Sequence, residues 1–183
     1  MKKLHIMVDC DEVLNNLLER WVEFLNERHG LFANARDITE WNLRNLFPTL
    51  SLEEIRSPLQ DEAFSGTYKV KPHSAEYLEK MLDDGHEVSI VTAHNNRTVG
   101  TKFDWITEHF PFFSRDDIII TAKKQKIIGD ILIDDIPHNL EGGNYFKILF
   151  HSPVNRNYNA EANGMVRVYS LKEAYEVIID KLL

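Results

Sequence analysis

The sequence predicts an α/β fold: a Rossmann-like three-layer domain with a parallel sheet and a small, mostly helical cap inserted after the first strand and helix. Three observations predict it. Short apolar runs of strand length recur along the chain, as in strands buried on both faces. Helical segments separate them, and strands alternating with helices of this length argue for parallel pairing. One stretch, residues 31–70, breaks the alternation with prolines, scattered aromatics and weak strand signals. The expected organisation is a single domain over 1–183, with a core of 1–30 and 71–183 and the cap at about 31–70.

Each element has its own signal. Leu4 to Val8 is the first apolar run and predicts a strand. Val13, Leu17, Leu18, Trp21, Phe24 and Leu25 recur at helical spacing, so a helix is expected from about Val13 to Arg28, ended by His29-Gly30. Within 31–70, Leu52 to Leu59 is a short helical piece, and Pro48, Pro58 and Gly66 punctuate the rest. The regular alternation then begins. Ser74 to Asp84 is a helix closed by Gly85, Val88 to Val91 a strand, and Thr98 to Phe110 a helix. Ile118–Ile120, Ile131–Ile133 and Phe146–Phe150 are strands, and Leu171 to Leu182 is a closing helix.

A chain of 183 residues is long enough to bury a sizeable core. Lys and Arg number 21 against 29 Asp and Glu, a formal charge of −8. That balance argues against a nucleic-acid polymer as partner. It leaves small phosphorylated ligands open, because one lysine or metal ion reverses the sign within a pocket. Cys10 is the lone cysteine, which excludes an internal disulfide and fits a reducing cytoplasm. The apolar run in MKKLHIMVDCDE is too short for a signal peptide, and no stretch approaches a membrane span. A cytoplasmic protein without a membrane partner is expected. Its oligomeric state stays open, a homodimer included.

Polar residues follow the apolar strands in a pattern. Asp9-Cys10-Asp11 follows the first, Thr92 the second and Asp134-Asp135 the strand at 131–133. Ligands of parallel α/β sheets bind beyond the carboxyl ends of the strands. One acidic strand end is ordinary loop solvation, and Asp9 and Asp11 alone would also suit a helix N-cap with an acidic first turn. Three such ends together are not ordinary. Four carboxylates in one crevice repel, and a bound cation removes that cost. An all-oxygen site of this kind suits Mg²⁺, which pairs carboxylates with substrate phosphate. In extended chain Asp9 and Asp11 point to the same side. One can then face phosphorus while the other faces the leaving oxygen, as a carboxylate nucleophile with a general acid/base requires. Burial and nearby carboxylates disfavour a thiolate at Cys10, so it is not the nucleophile.

In this order and placement, Asp9-Cys10-Asp11-Glu12-Val13, Thr92, a lysine near 124 and Asp134-Asp135 resemble the four motifs of haloacid dehalogenase superfamily phosphatases. Within it the chain is most similar to the 5'(3')-deoxyribonucleotidases. That likeness rests on chain size, the insertion, Ile38-Thr39-Glu40-Trp41, the run from Lys102 to Trp105 and the stretch Gly129–Asn139. The sequence departs from the family pattern at Glu12, usually Gly, at Ile136, often Arg, and at Leu17, where an aromatic is expected.

The resemblance implies roles. Asp9 is the nucleophile and a metal ligand. Asp11 is the general acid/base, and its carbonyl is a second metal ligand. Asp135 is the preferred direct ligand, with Asp134 bonded to lysine or to metal-bound water, or the two reversed. Thr92, with the N–H groups of Ala93 and His94, would hold phosphate. Lys124 is selected as the motif lysine over Lys123 and Lys126, and Lys102 matches a second family lysine able to neutralise phosphate. Trp41, Phe64 and Tyr68 would stack a base, wall the pocket or pack within the cap. Expected partners are a small phosphate ester, above all a nucleoside monophosphate, with Mg²⁺ as cofactor. A phosphatase for another ester such as a sugar phosphate, and a non-catalytic binding protein, are the alternatives.

Overall fold

The computed structural model describes residues 2–182. Its centre is a six-stranded sheet of β1 (His5–Val8), β2 (Glu87–Thr92), β3 (Ile118–Ile120), β4 (Ile131–Asp134), β5 (Phe146–Phe150) and β6 (Val166–Val168). The spatial order is β3-β2-β1-β4-β5-β6, and every pairing is parallel. The helices are α1 (Leu17–His29), α2 (Leu52–Arg56), α3 (Ser74–Asp83), α4 (Val99–His109), α5 (Pro137–Leu140) and α6 (Leu171–Leu182).

Alternation along the strands divides the core. Ile6, Val8, Ile90, Ile133 and Ile148 join a large cluster with Trp21, Leu78, Trp105, Ile106 and Ile178 from the long helices. Met7, Val91, Leu132 and Leu149 face the other way, against Leu140, Tyr145, Ala160 and Met165. The four long helices therefore supply the first face, while α5 and loops cover the second. On that thinner face the chain runs close: a Cβ on Gly129 would lie 2.7 Å from Met7 Cε.

The order reverses between β1 and β4, so chain leaves these neighbours toward opposite edges of the sheet. Such a switch point opens a crevice at the strands' carboxyl ends. β2, β1 and β4 lie side by side there, in register from Val8 to Ile90 and Ile133. Asp9, Thr92 and Asp134 thus emerge together.

Three expectations are corrected. The first helix begins at Leu17, four residues later than its apolar stripe suggests. Glu12 adopts φ 60° and Asn15 bridges antiparallel to Val70, so residues 11–14 form a turn ahead of that bridge. The piece at 52–59 splits, because Pro58 opens a separate 3-10 turn, Ser57–Gln60, after α2. β6 is a strand that was not predicted: Val166-Arg167-Val168 is three residues long, with only Val168 buried.

Residues 31–70 hold two 3-10 turns and α2. Their buried side chains Ile38, Leu43, Phe47, Ile55 and Phe64 share one continuous cluster with α1. Trp21 Nε1 donates to the Ile55 carbonyl at 2.7 Å. Where the segment returns, Lys71 N–H donates to the Leu14 carbonyl at 2.8 Å and Asn16 N–H to Lys69 at 3.1 Å.

Candidate active site

Asp9 leaves β1 with its N–H still on the sheet, donating to the Ile133 carbonyl at 2.9 Å. Its Oδ1 accepts from Cys10 N–H at 2.8 Å and lies 2.7 Å from Lys124 Nζ. Among the described residues no hydrogen bond occupies Oδ2. Burial pushes the Asp9 carboxyl up to about 7, with Lys124 opposing and Asp134 and Asp11 adding to the rise.

Lys124 is 1 % exposed and spans two acids, standing 2.6 Å from Asp134 Oδ2 as well. A 3-10 turn, Lys124–Lys126, turns it inward and leaves Lys123 and Lys126 exposed. Burial disfavours its charge, yet Asp134 and Asp9 together hold its pKa above the ordinary lysine value. Asp134 is fully satisfied: its Oδ1 also accepts from Ile136 N–H at 2.8 Å, and Asn139 Nδ2 donates at 3.1 Å.

Asp135 is the opposite case. It is fully buried and neither carboxylate oxygen has a hydrogen-bond partner. Burial, then Asp134 and Asp9, raises its pKa well above the carboxylate range. A buried, unpartnered carboxylate is costly unless something compensates it. Oxygens of Asp9, Asp134 and Asp135 lie within 4.8 Å of one another. Two lysines cannot neutralise four carboxylates, and a divalent cation would. The all-oxygen donor set and the orphaned Asp135 oxygens fit such an ion.

Asp11 sits apart from that trio. Its Oδ1 accepts from Lys102 Nζ at 2.5 Å and Asn15 Nδ2 at 2.9 Å. Burial pushes its carboxyl up, but the Lys102 charge and these bonds outweigh it and hold the pKa below the ordinary value. Lys102, placed by sequence on the phosphate, is thus seated on Asp11, with Nζ 4.8 Å from the Tyr68 ring. Cys10 is buried, and burial leads in pushing its thiol up to about 12.

Asp9, Asp11 and both lysines open on a cavity of about 380 Å³, within the range of small-molecule sites, whereas Asp134 and Asp135 lie behind its lining. Asp9, Asp11, Thr92, Ala93, Lys102 and Lys124 line it from the strand ends and their loops. Trp41, Leu59, Phe64, Ser65 and Tyr68 line it from the 31–70 segment, and Leu17 and Ile136 add apolar surface. Phe64 is nearly fully buried and meets Phe24 and Tyr68 edge-on at 5.1 and 6.0 Å, so it packs as well as lines. Trp41 is only half-buried. His94 also lines the cavity, bonded through Nε2 to Thr98 Oγ1 at 2.9 Å, whereas Arg97 is exposed and lies outside it.

Sequence reading missed the amides. Asn15 holds Asp11, Asn139 holds Asp134, and Asn155 Nδ2 donates to the Asp135 carbonyl at 2.7 Å. Asn139, five positions beyond Asp134, had a signal in its spacing. Asn155 had none, being brought in by the loop after β5.

Comparison with known proteins agrees with this geometry. Residues 2–183 match the family described as 5' nucleotidase, deoxy (pyrimidine), cytosolic type C protein. A 5'(3')-deoxyribonucleotidase of Bacillus subtilis is 34% identical over 175 residues, covering 94% of this chain and 96% of the relative. A haloacid dehalogenase (HAD) family hydrolase of Deinococcus radiodurans, solved with bound phosphate and sodium, superposes with a TM-score of 0.63 at 12% identity, covering 97% of this chain and 96% of that one. A HAD hydrolase of Bacillus subtilis bound to magnesium gives the same TM-score of 0.63 at 12% identity, covering 97% and 99%. At such identity these two structures speak to the fold alone. By the match along nearly its whole length, this chain belongs to the deoxy (pyrimidine) cytosolic type C 5' nucleotidase family, phosphomonoester hydrolases carried here on a HAD fold.

Proposed function

We propose that this chain is a 5'(3')-deoxyribonucleotidase that cleaves the phosphate ester of nucleoside monophosphates through a phosphoryl group carried on Asp9. One observation carries the reading. Asp9 offers a free Oδ2 in a cavity that also holds Asp11, Thr92 and two lysines and carries an apolar wall of Leu17, Leu59, Phe64 and Ile136.

Mg²⁺ would be held by Asp9, Asp135 and the Asp11 carbonyl, with Asp134 outside it, bonded to Lys124. When bound, the ion supplies positive charge against the carboxylates and the phosphate. The chain's own residues do the rest. Asp9 Oδ2 attacks phosphorus in line, forming a P–O bond to Asp9 as the bond to the sugar oxygen breaks. Asp11, held ionised by Lys102 in the resting site, takes up a proton as substrate binds and gives it to that departing oxygen. Water then attacks phosphorus and Asp11 takes its proton. The Asp9–phosphorus bond breaks, which releases inorganic phosphate and restores both acids. Thr92 Oγ1 and the Ala93 N–H bind phosphoryl oxygens. Lys124 opposes the rise in the Asp9 pKa and so favours its ionised form. Lys102 orients Asp11 and is close enough to the site to meet incoming phosphate. Residues 31–70 act as a cap over a core of 1–30 and 71–183, with Trp41 beside the base and Phe64 behind it. A cytoplasmic location fits the free, buried Cys10, and among the described residues no helix is long and apolar enough to cross a membrane. A homodimer is compatible with all of this.

A phosphate-release screen tests the proposal. Deoxyribonucleotides should be the best substrates with Mg²⁺ and should fail in chelator. Faster turnover of sugar phosphates would move the assignment to another HAD phosphatase. Release from no phosphate ester would leave a binding protein.

A further inference from the structure

The loop after β5 ties the carboxyl ends of two strands together at one amide. Asn155 is 2 % exposed, and its hydrogen-bonding capacity is fully used. Nδ2 donates to the backbone carbonyls of Asp135 and Phe150, each at 2.7 Å. Oδ1 accepts from Ser152 N–H at 3.2 Å and from Arg167 Nη1 at 2.7 Å. Arg167, on β6, also donates through Nη2 to the Asn155 carbonyl at 3.1 Å. Asp135 has no comparable hold on its own side chain. Both its oxygens lack partners, with only the Ser152 hydroxyl standing beside them. Its neighbours Asp9 and Asp134 repel it, so the direction of its carboxylate depends on where its backbone is held.

We infer that Asn155 is a positioning residue for Asp135, holding that carboxylate where it meets the metal, and that Arg167 locks Asn155 in place. The inference rests on the metal reading above. An amide suits the task because it offers two donors and an acceptor in one plane. It thereby joins the end of β4, the end of β5 and the edge strand β6. Arg167 gives this three-residue edge strand a role in the site that its few buried side chains do not suggest.

Calorimetric titration of Mg²⁺ alone into the full chain tests this, using the parent, Asn155→Ala and Arg167→Met. Loss of a group that orients a ligand costs about 10–100-fold in metal affinity. Asn155→Ala should raise the Mg²⁺ dissociation constant by that amount, and Arg167→Met should raise it less. Thermal unfolding with and without Mg²⁺ separates positioning from folding. A purely structural residue lowers the metal-free Tm and leaves the Mg²⁺-dependent rise intact, whereas a positioning residue diminishes the rise. Unchanged dissociation constants in the folded variants overturn the inference and leave the metal reading standing. No Mg²⁺ binding by the parent removes the metal reading, and the inference with it. If Asn155→Ala does not fold, Arg167→Met decides by the same criteria.

Discussion

Lys124 bridges Asp9 and Asp134 at 2.7 and 2.6 Å, while Asp135, the next residue, holds nothing. Opposite mutational signs follow. Lys124→Met leaves two buried carboxylates without their cation and should cost about 3–5 kcal/mol by urea unfolding in chelator. Asp135→Asn removes a buried carboxyl that, without a cation, must stay charged or take up a proton to fold, so in chelator it should stabilise by something on the order of 1 kcal/mol, while Mg²⁺-dependent activity is lost. A loss of metal-free stability in Asp135→Asn would contradict the orphaned state assigned to it. The cavity aromatics separate in the same way. Phe64, edge-on to Phe24 and Tyr68, should cost about 3–5 kcal/mol of stability as Phe64→Ala. Half-buried Trp41 should instead, as Trp41→Ala, raise KM for nucleotides more than for a small aryl phosphate. Equal KM effects on both substrates would make Trp41 a packing residue.

Helices α3 and α6 pack side by side, and Tyr175 pins one to the other by donating its hydroxyl to Asp84 Oδ2 at 2.7 Å. That hydrogen bond, with some burial, raises the phenol to about 12. A raised folded pKa means stability that is fully present below about pH 10, the unfolded value, and lost as pH climbs through about 12. Tyr175→Phe should therefore be less stable by about 1 kcal/mol at pH 8, with the gap to the parent narrowing at pH 11. A gap that widens with pH would refute the pairing. At this scale the sequence was legible where periodicity and apolar runs were strong. β1, β2, β4 and β5 fall within a residue or two of expectation because their buried faces demand Val, Ile and Leu. β6 was not legible, because an edge strand three residues long with a central Arg leaves no run to read. The start of α1 was masked for a different reason. Val13 and Leu14 are buried within the turn at 11–14, so their apolarity extends the helical stripe into a segment that is not helix. The site followed the same rule. The position of Asp9, Thr92 and Asp134-Asp135 at strand ends was readable because apolar runs fix where the strands stop. The seat of Lys102 on Asp11 and the clamp at Asn155 arise from loops whose paths only tertiary structure sets.

At the level of the whole molecule, a chain of formal charge −8 concentrates carboxylates at the switch point of its own sheet. That arrangement is repulsive by itself, and the proposed function needs a cation and a phosphate to make it productive. Chelator should abolish turnover, Mg²⁺ should restore it, and Ca²⁺ should restore it poorly because its looser coordination misplaces the nucleophile. Full turnover in chelator would remove the metal from the account. The proposed reaction carries phosphorus through Asp9. Rapid-quench trapping during turnover of a nucleoside monophosphate, with the modified peptide mapped by mass spectrometry, tests it most directly. Phosphate is expected on Asp9 in the parent chain and none in Asp9→Asn. In Asp11→Asn the label should still form on Asp9 and decay more slowly, because water then lacks its base. Phosphate found on Asp11 or Cys10, or absent from the chain while turnover proceeds, would contradict it.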